Sequence, residues 1–229
     1  RRPQDSQDLR SERASSMLDH RNRLSAALIY EMPFFKNRNW LLKNVLGNWE
    51  AAPVYIYQTG SLVTGQSEVA SNLHADSASD RVFVNPDGNP ALGSATRPLR
   101  NTAGQTVAYV AANPAAGYVS APLGTLPDAG RNLLHLNPIN DVDMTLAKRF
   151  TFGERYRLEF AARAFNILNH PQYTGGYLDD VLFLPFPPNS AAGVLARGSF
   201  DPASTSFQKW DQIFSSNSRT LTLSLKLSF

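Results

Sequence analysis

The last eleven residues of the chain, from Arg219 to Phe229, alternate between polar and apolar side chains without interruption. The apolar positions are Leu221, Leu223, Leu225, Leu227 and Phe229. Successive side chains of a β-strand point to opposite faces, so this segment has one apolar face and one polar face. A tilted strand of about ten residues is long enough to cross a bilayer. Leucines exposed along a soluble edge strand would promote aggregation, so the pattern predicts a strand that faces lipid or a partner surface.

Four earlier segments show the same alternation, with mostly apolar residues on one face and mostly polar residues on the other. Together with the last segment they predict strands near residues 21–31, 49–59, 141–152, 155–166 and 219–229. Pro53 lies within the second segment, and because proline cannot donate to a ladder it predicts a bulge or local irregularity. The connections at 60–139 and 167–218 are long and rich in Gly, Pro, Ser and Asn, whereas the other two are short.

These patterns predict an all-β fold, specifically an antiparallel transmembrane β-barrel fragment of about five C-terminal strands with two long extracellular loops. If the last strand ends in the periplasm, the strand directions place both long connections outside and both short connections inside. Five strands cannot close a membrane barrel, which needs about eight. We therefore expect residues 1–229 to be the C-terminal portion of a larger barrel. The sequence has no run of about eighteen apolar residues, so it predicts no transmembrane helix.

Aromatic residues occupy the apolar face at the predicted periplasmic end of every strand. We expect them to form an interfacial girdle that comprises Tyr30, Trp49, Phe150, Phe152 and Tyr156, with Phe229 at the end of the chain.

Charged residues on the polar faces of two strands are the functional candidates. They are Asp143, Arg149, Arg155, Arg157, Glu159 and Arg163. A basic residue that faced lipid near the midplane would cost about 2–4 kcal/mol, so we expect these side chains to line the lumen. There they could hold a plug or guide an anionic substrate. They could also pair across adjacent strands and fix the register, as Asp143 with Arg163 or Glu159 with Arg149.

Composition and spacing exclude several other functions. The net charge of +3 is spread along the chain without a concentrated basic patch, so we expect no nucleic-acid partner. The four histidines are far apart, which predicts no metal site. Residues 60–67 have the glycine spacing of a phosphate loop but lack its lysine. We therefore expect neither an enzyme nor a cofactor.

Two loop segments leave an alternative open. Residues 85–89, Asn-Pro-Asp-Gly-Asn, could bind calcium or simply form a turn, and turns favour these residue types. Residues 179–186 begin with two aspartates and continue with apolar residues. They could contact a ligand or pack against neighbouring loops.

Several motifs occur in the order that is typical of one known family. They are Tyr30-Glu-Met-Pro-Phe34, Leu46-Gly-Asn-Trp49, Tyr57-Gln-Thr-Gly60, Arg131-Asn-Leu-Leu134, the strands Asn140–Phe150 and Gly153–Phe160, Ala164-Phe-Asn-Ile-Leu-Asn-His-Pro171 and the closing segment Ser218–Phe229. Through these motifs the chain resembles the C-terminal barrel of the Oar-like TonB-dependent receptors that are common in acidobacteria. The resemblance covers most of the chain outside the two long loops, and the motif that ends at Pro171 is its most specific part.

The resemblance implies a location in the outer membrane and a barrel of about 22 strands around an N-terminal plug. The plug and the N-terminal domains are expected to lie outside this chain. The implied partners are outer-membrane lipid, the protein's own plug and other barrel strands, the TonB complex through the missing N-terminal part, and the barrel-assembly machinery. That machinery would recognise the final strand, Leu221, Leu223, Leu225, Leu227 and Phe229.

The function expected from the resemblance is TonB-dependent uptake or binding of an unidentified ligand. One alternative is a passive structural or adhesive outer-membrane barrel. The other is a soluble secreted β-sandwich that binds a partner, which would have to bury the leucines of the final strand against a second sheet.

Overall fold

The computed structural model describes residues 3–35, 37–67, 81–153, 155–172, 198–212 and 217–229. These residues form mainly strands, with a short α-helix, α1 (Trp40–Val45), and a 3-10 turn at Trp210–Gln212. The strands are β1 (Arg23–Ala27), β2 (Tyr30–Glu31), β3 (Trp49–Gln58), β4 (Leu62–Val63), β5 (Phe83–Val84), β6 (Asn89–Ser94), β7 (Thr96–Arg100), β8 (Thr106–Ala111), β9 (Ala116–Val119), β10 (Leu134–His135), β11 (Ile139–Phe152), β12 (Tyr156–Phe165) and β13 (Thr220–Ser228). The expectation of an all-β fold is confirmed.

The chain divides into two compact units. The first, here the sheet unit, comprises His20–Thr59, Pro138–Gln172 and Ser215–Phe229. The second, here the loop unit, comprises Arg1–Asp19, Gly60–Asn137 and Tyr173–Phe214.

The sheet unit is one antiparallel sheet in the order β1–β3–β11–β12–β13, with β2 also paired to β3. The last four predicted strands correspond to β3, β11, β12 and β13, whose ends lie within two residues of the predicted ends. The first predicted strand is divided into β1 and β2.

The break between β1 and β2 lies beside Pro53 of β3. The Leu28 N–H donates to the Pro53 carbonyl at 3.1 Å, but Pro53 has no N–H with which to return the bond. On its other side β3 keeps a continuous register with β11, where Met144 lies opposite Pro53. The expected irregularity is therefore a gap in the neighbouring strand and not a bulge in β3.

Both long connections leave the sheet at the same end. There Gln58, the last residue of β3, lies opposite Ile139 of β11, and Phe165 of β12 lies opposite Thr220 of β13. The short connections, which are the β2–β3 connection and the hairpin turn at Gly153 (φ +62°), lie at the other end. Among the described residues, no helix is both long and apolar enough to span a bilayer.

A side-chain amide extends the ladder of β11 beyond the start of β3. Asn44 of α1 accepts a hydrogen bond from the Thr151 N–H at 2.9 Å and donates one to the Thr151 carbonyl at 3.3 Å. The amide thus takes the place of a strand residue. The turn from α1 into β3 depends on Gly47, where a Cβ would lie 2.7 Å from the Lys43 carbonyl oxygen, and on Asn48, whose φ is +57°.

The motif that ends at Pro171 closes the connection after β12 around one buried asparagine. Asn166 is 1% exposed and has a φ of +47°. Its Nδ2 donates to the carbonyls of His170 (2.8 Å) and Asn217 (2.6 Å), and its Oδ1 accepts from the His170 N–H at 2.8 Å. Its own N–H donates to Oδ1 of Asp143 at 2.9 Å. This Asn166 clasp joins β11, the end of β12 and the residues before β13.

The loop unit has a core of its own. β4 pairs with β10, β7 pairs with β8, and β9 lies between β5 and β6. The core is formed by Val63, Leu134, Leu136, Phe200, Phe207 and Trp210. Residues near the N-terminus join this unit through Glu12, which pairs with Arg81 at 2.8 Å and also contacts Arg131. The long connections begin and end within two residues of the predicted positions, and their described residues contribute to a compact unit.

Candidate functional site

The register of the sheet sorts its side chains into an apolar face and a charged face. The apolar face carries Leu24, Trp49, Ala51, Tyr55, Tyr57, Val142, Met144, Leu146, Phe150, Phe152, Tyr156, Leu158, Phe160, Leu221, Leu223, Leu225 and Leu227. On β13 the side chains of this face are at least 61% exposed, and the terminal Phe229 is 87% exposed. So large an apolar surface indicates contact with lipid or with another protein.

The predicted interface aromatics lie on the apolar face, at the end of the sheet with the short connections. Tyr30 lies opposite Ala51, and Tyr156 lies opposite Phe152. Trp49 and Phe150 are partly buried, and both contact Lys148. The structure thus places these aromatics in one band, and their contact with a membrane interface stays a prediction.

Lys148 breaks the alternation of β11, and the structure shows how the apolar face accommodates its charge. The residue is 3% exposed, and its Nζ lies 5.2 Å from the centroid of the Trp49 ring and 5.1 Å from that of the Phe150 ring. The ammonium group also donates a hydrogen bond to the Gly47 carbonyl. Two aromatic faces and one carbonyl therefore replace water around this cation.

We expect the Lys148→Met substitution to lower the free energy of unfolding of the full-length protein by about 1–2 kcal/mol, because it leaves the Gly47 carbonyl unpaired and removes the cation from both rings. Methionine keeps an unbranched apolar chain of similar length, so packing changes little. The measurement is the midpoint of urea unfolding in detergent micelles. Lys226→Met removes an exposed lysine from the charged face and serves as the control. Equal effects of the two substitutions would contradict this account of Lys148.

Five of the six predicted lumen residues lie on the charged face of the sheet. Their register places Arg149 opposite Glu159, Arg157 opposite Thr151, Arg163 opposite Thr145, and Asp143 opposite Val54. Arg155 is the exception, and its assignment to a strand is wrong. β12 begins only at Tyr156, which pairs with Phe152, so Arg155 precedes the strand.

The guanidinium carbon of Arg155 lies 5.9 Å from the centroid of the Tyr156 ring. The residue therefore belongs to the end of the sheet that carries the aromatic band.

Arg149 links three strands through two ion pairs. Its Nη2 lies 2.7 Å from Oε2 of Glu50 on β3, and its Nε lies 2.9 Å from Oε2 of Glu159 on β12. The proposed pairing of Glu159 with Arg149 is thus present. Asp143 instead accepts the backbone N–H of Asn166 at 2.9 Å, and Arg163 lies opposite Thr145 and Thr222. The expected pairing of Asp143 with Arg163 therefore does not follow from the register.

A recess of about 400 Å³ lies at the end of the sheet with the short connections. Its charged lining consists of Glu31, Lys43, Arg149, Arg157, Glu159 and Lys226. Four of these six side chains are basic, so the lining carries a formal charge of +2. A concave surface with this charge favours an anionic partner or one of mixed polarity.

Three charged residues near Arg149 or in the recess, Glu50, Lys43 and Lys226, were not among the predicted site residues. Glu50 lies between Trp49 and Ala51, and Lys226 lies between Leu225 and Leu227, so both occupy polar positions of the alternation. The alternation of polar and apolar residues in their strands is therefore the sequence signal that identifies them. Lys43 belongs to α1, and strand parity gives no signal for a helical residue.

The Arg149→Met substitution should cost about 1 kcal/mol or less for each ion pair, because the Arg149 side chain is 44% exposed and solvent screens its charge. The measurement is again the midpoint of urea unfolding, taken at low and at high salt. We expect the loss to shrink at high salt. Arg163→Met removes the same charge from the same face and serves as the control. If both substitutions lower the urea midpoint equally, the ion pairs of Arg149 contribute no measurable stability.

The loop segments considered for ligand binding contain no metal cluster where they are described. Residues 85–88 form a turn, in which the Asn85 carbonyl accepts the Gly88 N–H at 3.0 Å and the Asn85 amide donates to the carbonyls of Pro114 and Ala116, and Asn89 begins β6. Across the described residues, no group of three or more His, Cys, Asp or Glu side chains could hold a metal ion. Residues 179–186 lie outside the described ranges.

Comparison with known families provides an independent result. A family model with the description "Outer membrane beta barrel domain" matches residues 1–200. The match spans β1 to β12 and ends before β13. No curated protein and no solved structure matches the chain.

Proposed function

The chain belongs to the outer membrane beta barrel domain family and lies in the outer membrane, and from this premise we propose that it is part of a TonB-dependent receptor. In this proposal the apolar face of the sheet contacts lipid, and the charged face lines the lumen. The receptor binds or takes up an unidentified ligand, and it is not an enzyme. A soluble secreted β-sandwich does not fit the outer-membrane location.

The observation that supports the proposal is the recess lined by charged side chains on the charged face of the sheet. Barrels of about eight strands fill their interior with side chains, whereas barrels of about 22 strands enclose a plugged lumen. The ion pairs of Arg149 and the basic side chains around the recess would suit a wide, wet interior that holds a polar plug. The resemblance of the motifs between Tyr30 and Phe229 to Oar-like receptors supports the same assignment.

The complete protein has five partners in this proposal. The apolar face contacts outer-membrane lipid, and the outer edges of β1 and β13 pair with other strands of the barrel. The charged face contacts the plug. The TonB complex binds a part of the protein that precedes this chain, and the barrel-assembly machinery recognises the final strand, Leu221–Phe229.

The experiment uses the full-length gene product, purified in detergent. We expect it to bind the purified periplasmic domain of TonB, and we expect planar bilayers that contain it to show no steady conductance, because a plug fills the lumen. A full-length variant with its N-terminal domains and plug deleted should lose the binding and conduct ions. An intact protein that conducts steadily and does not bind TonB would contradict the proposal.

A passive structural or adhesive barrel is the second candidate. The loop unit favours it, because a unit with its own buried core offers a fixed surface for a partner outside the cell. This candidate requires neither a plug nor binding to TonB, so the same experiment separates the two functions.

A further inference from the structure

The β2–β3 connection presents a row of exposed apolar side chains. The set comprises Phe34, Phe35, Trp40, Leu41, Val45 and Leu46. Three of them, Trp40, Leu41 and Val45, belong to α1 and are here called the α1 apolar flank. Leu41 is 60% exposed, and Trp40 and Val45 are each 55% exposed. These side chains are not buried in a core, and they do not belong to the strands of the sheet.

The orientation of α1 is fixed by its contacts with the end of β11. Asn44 forms two hydrogen bonds with the backbone of Thr151, and the indole N–H of Trp40 donates to the Thr151 carbonyl at 3.0 Å. The Trp40 ring also lies 6.1 Å from the ring of Phe152, centroid to centroid. Since Phe152 belongs to the apolar face, this contact places Trp40 at the edge of that face.

The two sides of α1 match the two faces of the sheet. Residues of an α-helix are spaced about 100° apart, so Leu41 and Val45 share one side, while Lys43 lies about 200° from Leu41. Lys43 lines the charged recess. With the same spacing Trp40 lies about 60° from Lys43 and about 100° from Leu41, so it separates the polar side of the helix from the apolar side formed by Leu41 and Val45.

We propose that the α1 apolar flank contacts phospholipid of the periplasmic leaflet and anchors this end of the sheet at the headgroup level. The chain lies in the outer membrane, short connections of such barrels lie on the periplasmic side, and aromatic side chains favour the interface. Lipid is the occupant because the α1 apolar flank continues the apolar face through Phe152 and the aromatic band. The inference rests on the proposed contact of that face with lipid.

The experiment places the fluorophore NBD on single cysteines in a cysteine-free version of the full-length protein. The substitutions are Leu41→Cys and Val45→Cys on the α1 apolar flank, and Lys43→Cys on the opposite side of the helix. A fourth, Leu225→Cys, reports on the apolar face of β13. The labelled proteins are assembled in vesicles of phosphatidylethanolamine and phosphatidylglycerol, with or without bromine near the glycerol end of the acyl chains. A shift of the gel band on boiling identifies the samples in which the barrel has assembled.

We expect brominated lipid to quench NBD at positions 41, 45 and 225, with emission shifted to the blue, while NBD at position 43 stays accessible to aqueous iodide. Equal quenching by lipid at positions 41 and 43, or protection of position 41 from both quenchers, would overturn the inference. If position 225 is not quenched by lipid, the proposed lipid contact of the sheet fails as well. Should Leu41→Cys fail to assemble, Val45→Cys reports on the same side of the helix.

Discussion

The Leu223→Arg substitution should lower the free energy of unfolding of the full-length barrel by about 2–4 kcal/mol, because it exposes a guanidinium group to hydrocarbon near the midplane. Leu223 lies near the centre of β13 on the apolar face and is 61% exposed. In water an arginine at such an exposed position would be tolerated. The expected loss therefore depends on lipid and not on packing within the protein.

Ser224→Arg is the matched control for this prediction. Ser224 is the next residue of β13, is also exposed, and lies opposite Ala161 on the charged face. An arginine there would face water or other polar groups, so its effect should stay within about 0.5 kcal/mol. The measurement is reversible unfolding in urea in the presence of lipid vesicles. Equal effects of the two substitutions would mean that the faces of β13 do not differ in their surroundings.

The Asn166→Leu substitution should cost about 3 kcal/mol, since unsatisfied buried polar groups cost about 1–3 kcal/mol each and their effects are not additive. Leucine keeps the shape of asparagine but removes the three side-chain hydrogen bonds to His170 and Asn217. It also places a residue without local hydrogen bonds in the left-handed conformation that Asn166 adopts, φ +47°. The measurement is the midpoint of the gel shift on heating.

Asn169→Leu provides the control for the clasp. Asn169 also has a positive φ, +51°, but it is exposed, and its side chain accepts the Arg219 N–H. We expect its replacement to cost about 1 kcal/mol, which leaves a clear difference from Asn166. Equal shifts for the two variants would show that the backbone conformation alone matters, and that the Asn166 clasp does not hold the strands together.

The strands and their faces could be predicted because alternation is a local property of the sequence. The segment from Leu221 to Phe229 defines its own apolar side, and a shift of one residue would have moved that entire side to the other face. The pairing of Glu159 with Arg149 also follows from parity, once the two strands of a hairpin are recognised. Pro53 was correctly identified as a site of irregularity, since the missing N–H is a property of the residue itself.

Features that depend on contacts between distant segments could not be predicted. Lys148 breaks the alternation, and its carbonyl partner is Gly47, 101 residues earlier in the chain. The core of the loop unit brings Val63 together with Trp210, and nothing in the composition of either segment indicates that contact. Arg155 was misplaced for a different reason. β12 begins at Tyr156, one residue later than expected, and the start of a strand cannot be read reliably from one Gly-Glu pair.

The most direct test of the central claim is to measure the environment of each residue of β13 in the assembled protein. Because the chain has no cysteine, nitroxide spin labels can be attached at single cysteines introduced from 220 to 228. Collisions with oxygen report on lipid, and collisions with a water-soluble nickel chelate report on water. We predict that labels at 221, 223, 225 and 227 meet oxygen more often, and that labels at 220, 222, 224, 226 and 228 meet the nickel chelate more often. Accessibility without a period of two residues, or with the faces exchanged, would contradict the assignment of β13 to a lipid-facing barrel wall.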